Sequence, residues 1–187
     1  MADAVKVEVR RSGKRFEAEA LLDLAADEAT VWQTITDYAA LPRFMPGIRA
    51  CRVLERHAGP GGAERLVVEQ KGEFRLLLLA QSMDVLLDIE HVPMCTAQAR
   101  ARHFKLGLLK TRALDAFEGR YELVPRGARG RTPRVELRYT ALIVLRLPPP
   151  PAVGSLAVRQ NLAAQLEAVA QEVVRRAAAG DPARAPR

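Results

Sequence analysis

The chain has 187 residues, 49% of them hydrophobic and 27% charged, and a formal net charge of +7. These values are typical of one soluble globular domain, and no stretch reaches the roughly 20 apolar residues of a membrane span. The N-terminus lacks the apolar core of a signal peptide, and Cys51 and Cys95 have neither pairing nor metal-site spacing. We therefore predict a cytoplasmic protein in a reducing compartment.

The positive charge comes mostly from arginines that are spread along strand positions rather than gathered in one patch. Examples at alternating strand positions are Arg49, Arg100, Arg102, Arg120 and Arg138. Aromatic residues, which would stack on bases in a nucleic-acid binding protein, make up only 5% of the chain. Nucleic acid is therefore not the predicted partner.

The chain begins with a strand followed by two short helices. Residues 14–24 are predicted as the first strand, and residues 1–13 as an N-terminal arm or an extra strand. Asp27 stands where a capping residue belongs, directly before a helical pattern over 28–36. A second short helix is predicted over 39–45, ended by a Pro-Gly pair.

From residue 48 the hydrophobic period changes to two, which indicates strands. The predicted strands cover residues 48–57, 66–78, 82–92, 96–104, 111–124 and 135–143. The clearest alternation places one set of side chains on a single face: Leu66, Val68, Gln70, Gly72, Phe74 and Leu76. Several strands exceed ten residues, and antiparallel strands of that length must twist and curl.

The C-terminal part is predicted as one long helix. After a proline-rich linker at 148–151, residues 155–178 are amphipathic. Their apolar side is Leu156, Leu162, Leu166, Val169 and Val173. Residues 179–187 are predicted as a disordered tail, which leaves one domain over 14–178. The predicted fold class is α+β: a curved antiparallel sheet of about seven strands wrapped around a long C-terminal helix.

Small residues on the inward face of the sheet favour a ligand cavity over close packing of helix on sheet. These residues are Gly72, Ala97, Ala99, Ala101 and Gly119. Three alanines in one strand beneath a long helix leave room for a ligand. The candidate ligand-binding residues are Gln70, Gly72, Phe74, Leu87, Ala99, His103, Phe117, Gly119, Tyr121, Tyr139, Leu162 and Leu166.

The sequence resembles the START-like superfamily, in the branch that holds polyketide cyclase/dehydrase-like and coenzyme-Q-binding proteins. The resemblance is carried by EATVWQTITDYAALPRFMPGIRACRVLER (28–56), VVEQ (67–70), FEGRYEL (117–123) and the closing PPPP and NLAAQLEAVAQEV segments. It implies a helix-grip fold with a deep cavity between the sheet and the C-terminal helix. It also implies binding of lipids, quinones, polyketides or other apolar molecules. Catalysis is left open, because the fold serves carriers, chaperones, cyclases and ribosome-associated toxins.

Catalytic signatures are sparse. The chain has no nucleophile elbow, phosphate loop or cysteine cluster, and its three histidines lack metal-ligand spacing, so neither a metal nor a cofactor is predicted. His57 and His91 are expected to be solvated, whereas alternation turns His103 inward. Asp115 falls on the inward face by alternation, where it could act as a base, although a solvent-facing strand end is the alternative.

The inward polar side chains need hydrogen-bond partners. The partner of Gln70 is either backbone or a ligand oxygen, and His103 is either satisfied near the rim or an anchor for a ligand carbonyl. Tyr121 and Tyr139 point inward on adjacent strands, where they either pack in the core or orient a ligand.

Two predicted hairpins carry candidate contact surfaces. Leu106, Leu108 and Leu109 lie between two lysines; they either touch a membrane surface during ligand exchange or fold back over the cavity mouth. The next hairpin holds a cluster of arginines, which is a solvated loop by default: Arg126, Arg129, Arg131 and Arg134.

These observations predict a carrier or chaperone for an apolar small molecule such as a lipid, an isoprenoid quinone or a polyketide-like ligand. One alternative is an aromatase/cyclase that polarises a carbonyl through an inward polar residue: Gln70, His103, Asp115, Tyr121 or Tyr139. Another is an interaction protein that binds ribosomal RNA through the arginine hairpin. The absence of any paired catalytic motif favours the carrier.

Overall fold

The computed structural model of the chain describes residues 5–76, 79–107, 111–130, 132–147 and 150–180. The first half contains β1 Val7–Ser12, β2 Arg15–Leu24, α1 Glu28–Thr36 and α2 Leu41–Phe44. The rest consists of β3 Ile48–Ala58, β4 Glu64–Leu76, β5 Leu79–Val92, β6 Thr96–Leu106, β7 Thr111–Arg112, β8 Leu114–Arg129, β9 Thr132–Leu145 and α3 Pro151–Gly180.

The strands form one antiparallel sheet in the order β1-β2-β9-β8-β6-β5-β4-β3, with β7 paired to β6. Helix α3 packs against the β1–β2 end of the sheet and against α1, and α2 packs beside β3. This is the predicted α+β helix-grip fold, to which β1 and the two-residue β7 add strands beyond the expected seven or so. Among the described residues, no helix has the length and hydropathy needed to cross a bilayer.

Local sequence explains the elements. In β2 the side chains of alternate residues are buried, because one face of the strand packs on the core. At the start of α1, the backbone N–H of Thr30 donates to the Asp27 side chain at 2.7 Å, so the predicted helix cap is confirmed. The polar outer face of the sheet carries ion pairs such as Arg52–Glu69 at 2.7 Å.

Helix α3 buries most of its predicted apolar side. Leu162, Leu166, Val169 and Val173 are buried, but Leu156 is 44% exposed, so its predicted inward position is wrong. Six residues do not make a whole number of helical turns, and Val158, one turn before Leu162, is buried instead. The helix runs to Gly180, and the rest of the predicted tail, 181–187, lies outside the described residues.

Candidate ligand-binding cavity

A cavity of about 250 Å³ lies between the concave face of the sheet and α3, with α1 and α2 on one side. Its walls come from β3–β6, β8 and β9, from the segment before β8, and from the three helices with the residues that follow α1 and α2. The volume lies just below the roughly 300–1,000 Å³ of typical small-molecule sites, which favours a compact ligand.

The cavity wall is uncharged. Among the described residues that line it there is no Asp, Glu, Lys, Arg or His; its polar side chains are Tyr38, Gln70, Gln98, Tyr121, Tyr139, Asn161 and Gln165. A charged ligand that entered the cavity would lose its hydration and would find no opposite charge in the wall. This desolvation costs several kcal/mol or more. The wall suits a neutral molecule with a few polar groups.

Eight of the twelve candidate residues line this cavity: Gln70, Leu87, Ala99, Phe117, Gly119, Tyr121, Tyr139 and Leu162. They are brought together by cross-strand pairing, for example Ala99 opposite Gly119 and Tyr121 opposite Tyr139. The side chain of Phe74, a ninth candidate, lies outside the described residues. Leu166 is buried in the core between α3 and the sheet and does not line the cavity.

Gly72 is small for a reason other than cavity space. A Cβ at this position would lie 1.8 Å from the carbonyl oxygen of Gly47, so the two backbones touch. The contact is completed by the backbone N–H of Glu73, which donates to the same carbonyl at 2.7 Å. The prediction that Gly72 opens the cavity is therefore wrong: its missing side chain allows the turn before β3 to lie directly against β4.

His103 does not face the cavity, because a β-bulge interrupts the alternation of β6. Leu86 pairs with His103 and Leu87 with Ala101, which leaves Arg102 as the extra residue. Beyond the bulge His103 shares the outer face and lies 3.7 Å from Asp84, whereas Phe104 lines the cavity. The inward position predicted for His103 is corrected accordingly.

A second irregularity removes Asp115 from the cavity. The pairing of β8 with β9 shifts between Leu114 and Ala116, so Asp115 is the unpaired residue and its side chain is exposed. Its backbone carbonyl accepts a hydrogen bond from Arg112 at 3.3 Å. Asp115 is therefore not available as a base in the cavity, as the solvent-facing alternative anticipated.

Tyr121 and Tyr139 face each other across β8 and β9 with ring centroids 4.9 Å apart. Neither hydroxyl has a hydrogen-bond partner among the described residues, and burial raises the pKa of both phenols. Each hydroxyl thus keeps its proton at neutral pH and can donate it to a ligand oxygen.

Gln70 lies beside Cys51, its cross-strand neighbour. Burial raises the pKa of the Cys51 thiol to about 11, and hydrogen bonding with the Gln70 amide opposes that rise. The Cys51 thiol is therefore a partner for Gln70 that the sequence did not indicate, beside the two alternatives of a backbone group and a ligand oxygen. The amide also lines the cavity, where it can meet a ligand oxygen or hydroxyl.

His91 is buried at 3% exposure, so the prediction that it is solvated is wrong. Its Nε2 lies 2.7 Å from the Tyr38 hydroxyl, and its Nδ1 lies 3.5 Å from the Glu64 carboxylate. Glu64 in turn accepts a hydrogen bond from Arg56 at 2.8 Å. The alternation of β5 already placed Ile89 inward. His91 is two residues further along the strand, so the same alternation predicts that it also points inward.

The sequence patterns also missed the polar stripe of α3. Asn161 and Gln165 line the cavity one helical turn apart, between Val158 and Val169. The amide nitrogen of Asn161 donates to the carbonyl of Ala157 at 2.9 Å. Their helical spacing could have predicted this position, because residues 158, 161, 162, 165 and 169 share one face of the helix.

The two hairpins are described only in part. Leu106 lines the cavity, and Leu108 and Leu109 lie outside the described residues. In the arginine hairpin, Arg126 pairs with Glu136 at 2.6 Å and Arg134 with Asp23 at 2.5 Å. The side chains of Arg129 and Arg131 are outside the described residues.

Comparison with known proteins agrees with this architecture. The family model "Polyketide cyclase / dehydrase and lipid transport" matches residues 24–170. No curated protein sequence is significantly similar to the chain. A START superfamily protein from Mycobacterium smegmatis has a TM-score of 0.67 at 16% identity and covers 85% of this chain and 97% of its own.

Two further structures share the fold. Zhui aromatase/cyclase from Streptomyces sp. R1128 has a TM-score of 0.63 at 20% identity, covering 89% of this chain and 98% of its own. A STAR-related lipid transfer protein from Xanthomonas axonopodis has a TM-score of 0.63 at 15% identity, covering 93% of this chain and 96% of its own. At these identities the likeness concerns the fold alone.

Proposed function

Because the chain belongs to the polyketide cyclase/dehydrase and lipid transport family, we propose that it binds a neutral, largely apolar small molecule in its cavity, as a carrier or chaperone. The observation that carries the proposal is the wall without charged side chains. Burial of apolar ligand surface would supply the affinity, at about 25 cal/mol per Å² before entropic costs. Isoprenoid quinones, polyketide-like aromatics and compact neutral lipids have this chemistry.

The proposed contacts divide into an apolar set and a polar set. Leu87, Ala99, Phe117, Gly119 and Leu162 would pack on the ligand. Tyr121 and Tyr139 would donate hydrogen bonds to its carbonyl oxygens, and Gln70 would orient it. A site with few polar groups among many apolar ones is typical of small-molecule binding.

An aromatase/cyclase is the second candidate, favoured by one observation: the Tyr38–His91–Glu64 contacts at the cavity wall. General acid–base catalysis needs a group whose pKa lies near the working pH. Burial raises the pKa of Tyr38, so the phenolate, which is the form that could act as a base, is scarce at neutral pH. We therefore place binding ahead of catalysis.

We propose that the partner is the small molecule and not nucleic acid, since Arg126 and Arg134 already pair with acidic side chains. Leu106 faces the cavity, which favours a hairpin folded over the cavity mouth; transient contact of its tip with a membrane is the alternative. The free thiols of Cys51 and Cys95 are compatible with the proposed cytoplasmic location.

The experiment compares two probes of similar shape, neutral 2-acetylnaphthalene and anionic 2-naphthoate, titrated into the purified protein. We expect the ketone to bind at least about tenfold more tightly, because the anion finds no counter-charge. Native mass spectrometry of the protein as purified should in addition show a bound neutral molecule, which organic solvent should extract. Equal or tighter binding of the anion would contradict the proposal.

A further inference from the structure

Tyr38 is a cavity-lining residue whose hydroxyl meets the buried His91, and His91 in turn contacts the partly exposed Glu64. Tyr38 lies two residues after the end of α1, is 7% exposed, and lines the cavity. Its hydroxyl oxygen is 2.7 Å from His91 Nε2. Burial is the main cause that raises the pKa of Tyr38, and Cys51 and Tyr121 add to the rise.

The groups around His91 determine its protonation. The ring stacks on Tyr38 and meets the edge of Trp32 from α1, while Glu64 reaches it from β4. Burial lowers the pKa of His91, and the hydrogen bond from Arg56 lowers the pKa of Glu64. The result at neutral pH is a neutral imidazole beside an ionised carboxylate.

A neutral imidazole has one N–H, and its position follows from Glu64. With the proton on Nδ1, the ring donates toward the carboxylate; with the proton on Nε2, a nitrogen lone pair would face the carboxylate at 3.5 Å. The first arrangement is favoured electrostatically. Nε2 then accepts a hydrogen bond, and the Tyr38 hydroxyl donates its only proton to that bond.

We infer that Tyr38 presents an oxygen lone pair, and no proton, to the cavity, so that this end of the site selects a ligand carrying a hydroxyl group. This inference rests on the proposed binding function and names its ligand class: neutral molecules with a phenol, hydroquinone or alcohol. Tyr121 and Tyr139, whose protons are uncommitted among the described residues, play the opposite role and donate. His91 and Glu64 are positioning residues that act through Tyr38.

The test uses 2-naphthol and 2-methoxynaphthalene, which differ in the ability to donate a hydrogen bond. The measured quantity is the ratio of the two Kd values, in which differences in folded fraction cancel. In wild-type protein we expect 2-naphthol to be favoured about tenfold, the scale of one hydrogen bond. Tyr38→Phe should remove that preference by weakening 2-naphthol alone.

Tyr139→Phe is the matched control, because it also removes a hydroxyl from the cavity, but one that donates a hydrogen bond rather than accepting one. Both probes can accept from Tyr139, so the variant should leave their ratio unchanged. A wild-type ratio near one, or an unchanged ratio in Tyr38→Phe, would overturn the inference while leaving the proposed binding function intact. If neither probe nor 2-acetylnaphthalene binds the wild-type protein, both the inference and the proposed function fail.

A second measurement needs no variant. ¹⁵N NMR of the His91 imidazole distinguishes a protonated nitrogen from one that carries a lone pair. We expect the proton on Nδ1 at neutral pH in the ligand-free protein. A proton on Nε2 would make Tyr38 the acceptor from His91 and overturn the inference, whatever the binding data show.

Discussion

The two ends of the cavity are built from the same strands but differ in chemistry. At one end, cross-strand pairing aligns Glu64, His91, Ala97, Tyr121 and Tyr139 in a single row across β4, β5, β6, β8 and β9. At the other end, Met83 pairs with Leu106 and Leu114 with Leu145, and these lining side chains are apolar. We expect a bound ligand to direct its polar group toward the polar row.

Two β-bulges maintain this difference. The bulge at Arg102 turns His103 outward, and the irregularity at Asp115 does the same for that carboxylate. Both would otherwise place a titratable side chain toward the apolar end. Pairing along the polar row is regular from β4 to β9, so His91 and the two tyrosines stay inward. Register thus decides which titratable side chains lie on the inner face of the sheet.

The largest expected effect concerns the backbone contact beside the apolar end. Gly72→Ala would force a methyl group against the Gly47 carbonyl, which lies 1.8 Å from the Cβ position. Backbone must move to relieve the clash, and we expect a loss of about 3 kcal/mol in the free energy of unfolding, at the upper end for overpacking. Urea denaturation measures this, with Gly119→Ala as the milder comparison. A loss below about 1 kcal/mol would contradict the assigned contact.

Filling the middle of the cavity should block a ligand that spans the polar and the apolar end. A Cβ at Gly119 lies 3.2 Å from the Tyr139 hydroxyl and 3.4 Å from the Phe117 ring, so Gly119→Phe places its ring in the ligand space. We expect affinity for 2-acetylnaphthalene to fall about 100-fold, or about 2.7 kcal/mol. Arg120→Phe, at the next and outward position of β8, is the control and should bind normally. Comparable binding by both variants would show that the ligand lies elsewhere.

A clamp of charged side chains, formed by Glu172, Arg175 and Arg176, ties the last third of α3 to Asp37 at the end of α1. Glu172, whose side chain is 9% exposed, accepts hydrogen bonds from Arg175 and Arg176, and Arg176 reaches Asp37 at 3.1 Å. These guanidinium groups lower the pKa of Glu172 from 4.5 to about 2. The carboxylate therefore stabilises the fold fully above pH 4.5, and this contribution is lost as the pH falls toward 2.

Glu172→Gln should remove that contribution, about 2 kcal/mol at pH 7. The free energy of unfolding of the variant should also fall less steeply than that of wild type between pH 4.5 and about 2. Glu167→Gln, an exposed position of the same helix, is the control and should change little. Parallel pH profiles for wild type and Glu172→Gln would contradict the assignment of the clamp.

The difference between the ends also shows what could be read from the sequence. Alternation in β4 and β9 and the capping Asp27 are local signals, and together with the family resemblance they were sufficient to predict the fold. Of the apolar cavity wall, the candidates named from the sequence were five residues: Leu87, Ala99, Phe117, Gly119 and Leu162. Lining residues such as Ile35, Leu41 and Val158 were not among them. The bulges leave no mark in the alternation itself, so His103 and Asp115 were misplaced. The Tyr38–His91 hydrogen bond joins residues 53 positions apart, and only the folded chain brings them together.

The smallest effect tests the donor side of the polar row. Tyr121 keeps its proton because burial raises its pKa, and it has no protein acceptor among the described residues. Tyr121→Phe should therefore weaken 2-acetylnaphthalene about fivefold, roughly 1 kcal/mol, and leave 2-ethylnaphthalene unchanged, since that probe lacks the carbonyl. The loss should be the same at pH 6 and pH 8, because the phenol is protonated at both. Equal weakening of both probes would mean that Tyr121 contributes ring packing alone, and the donor role would pass to Tyr139.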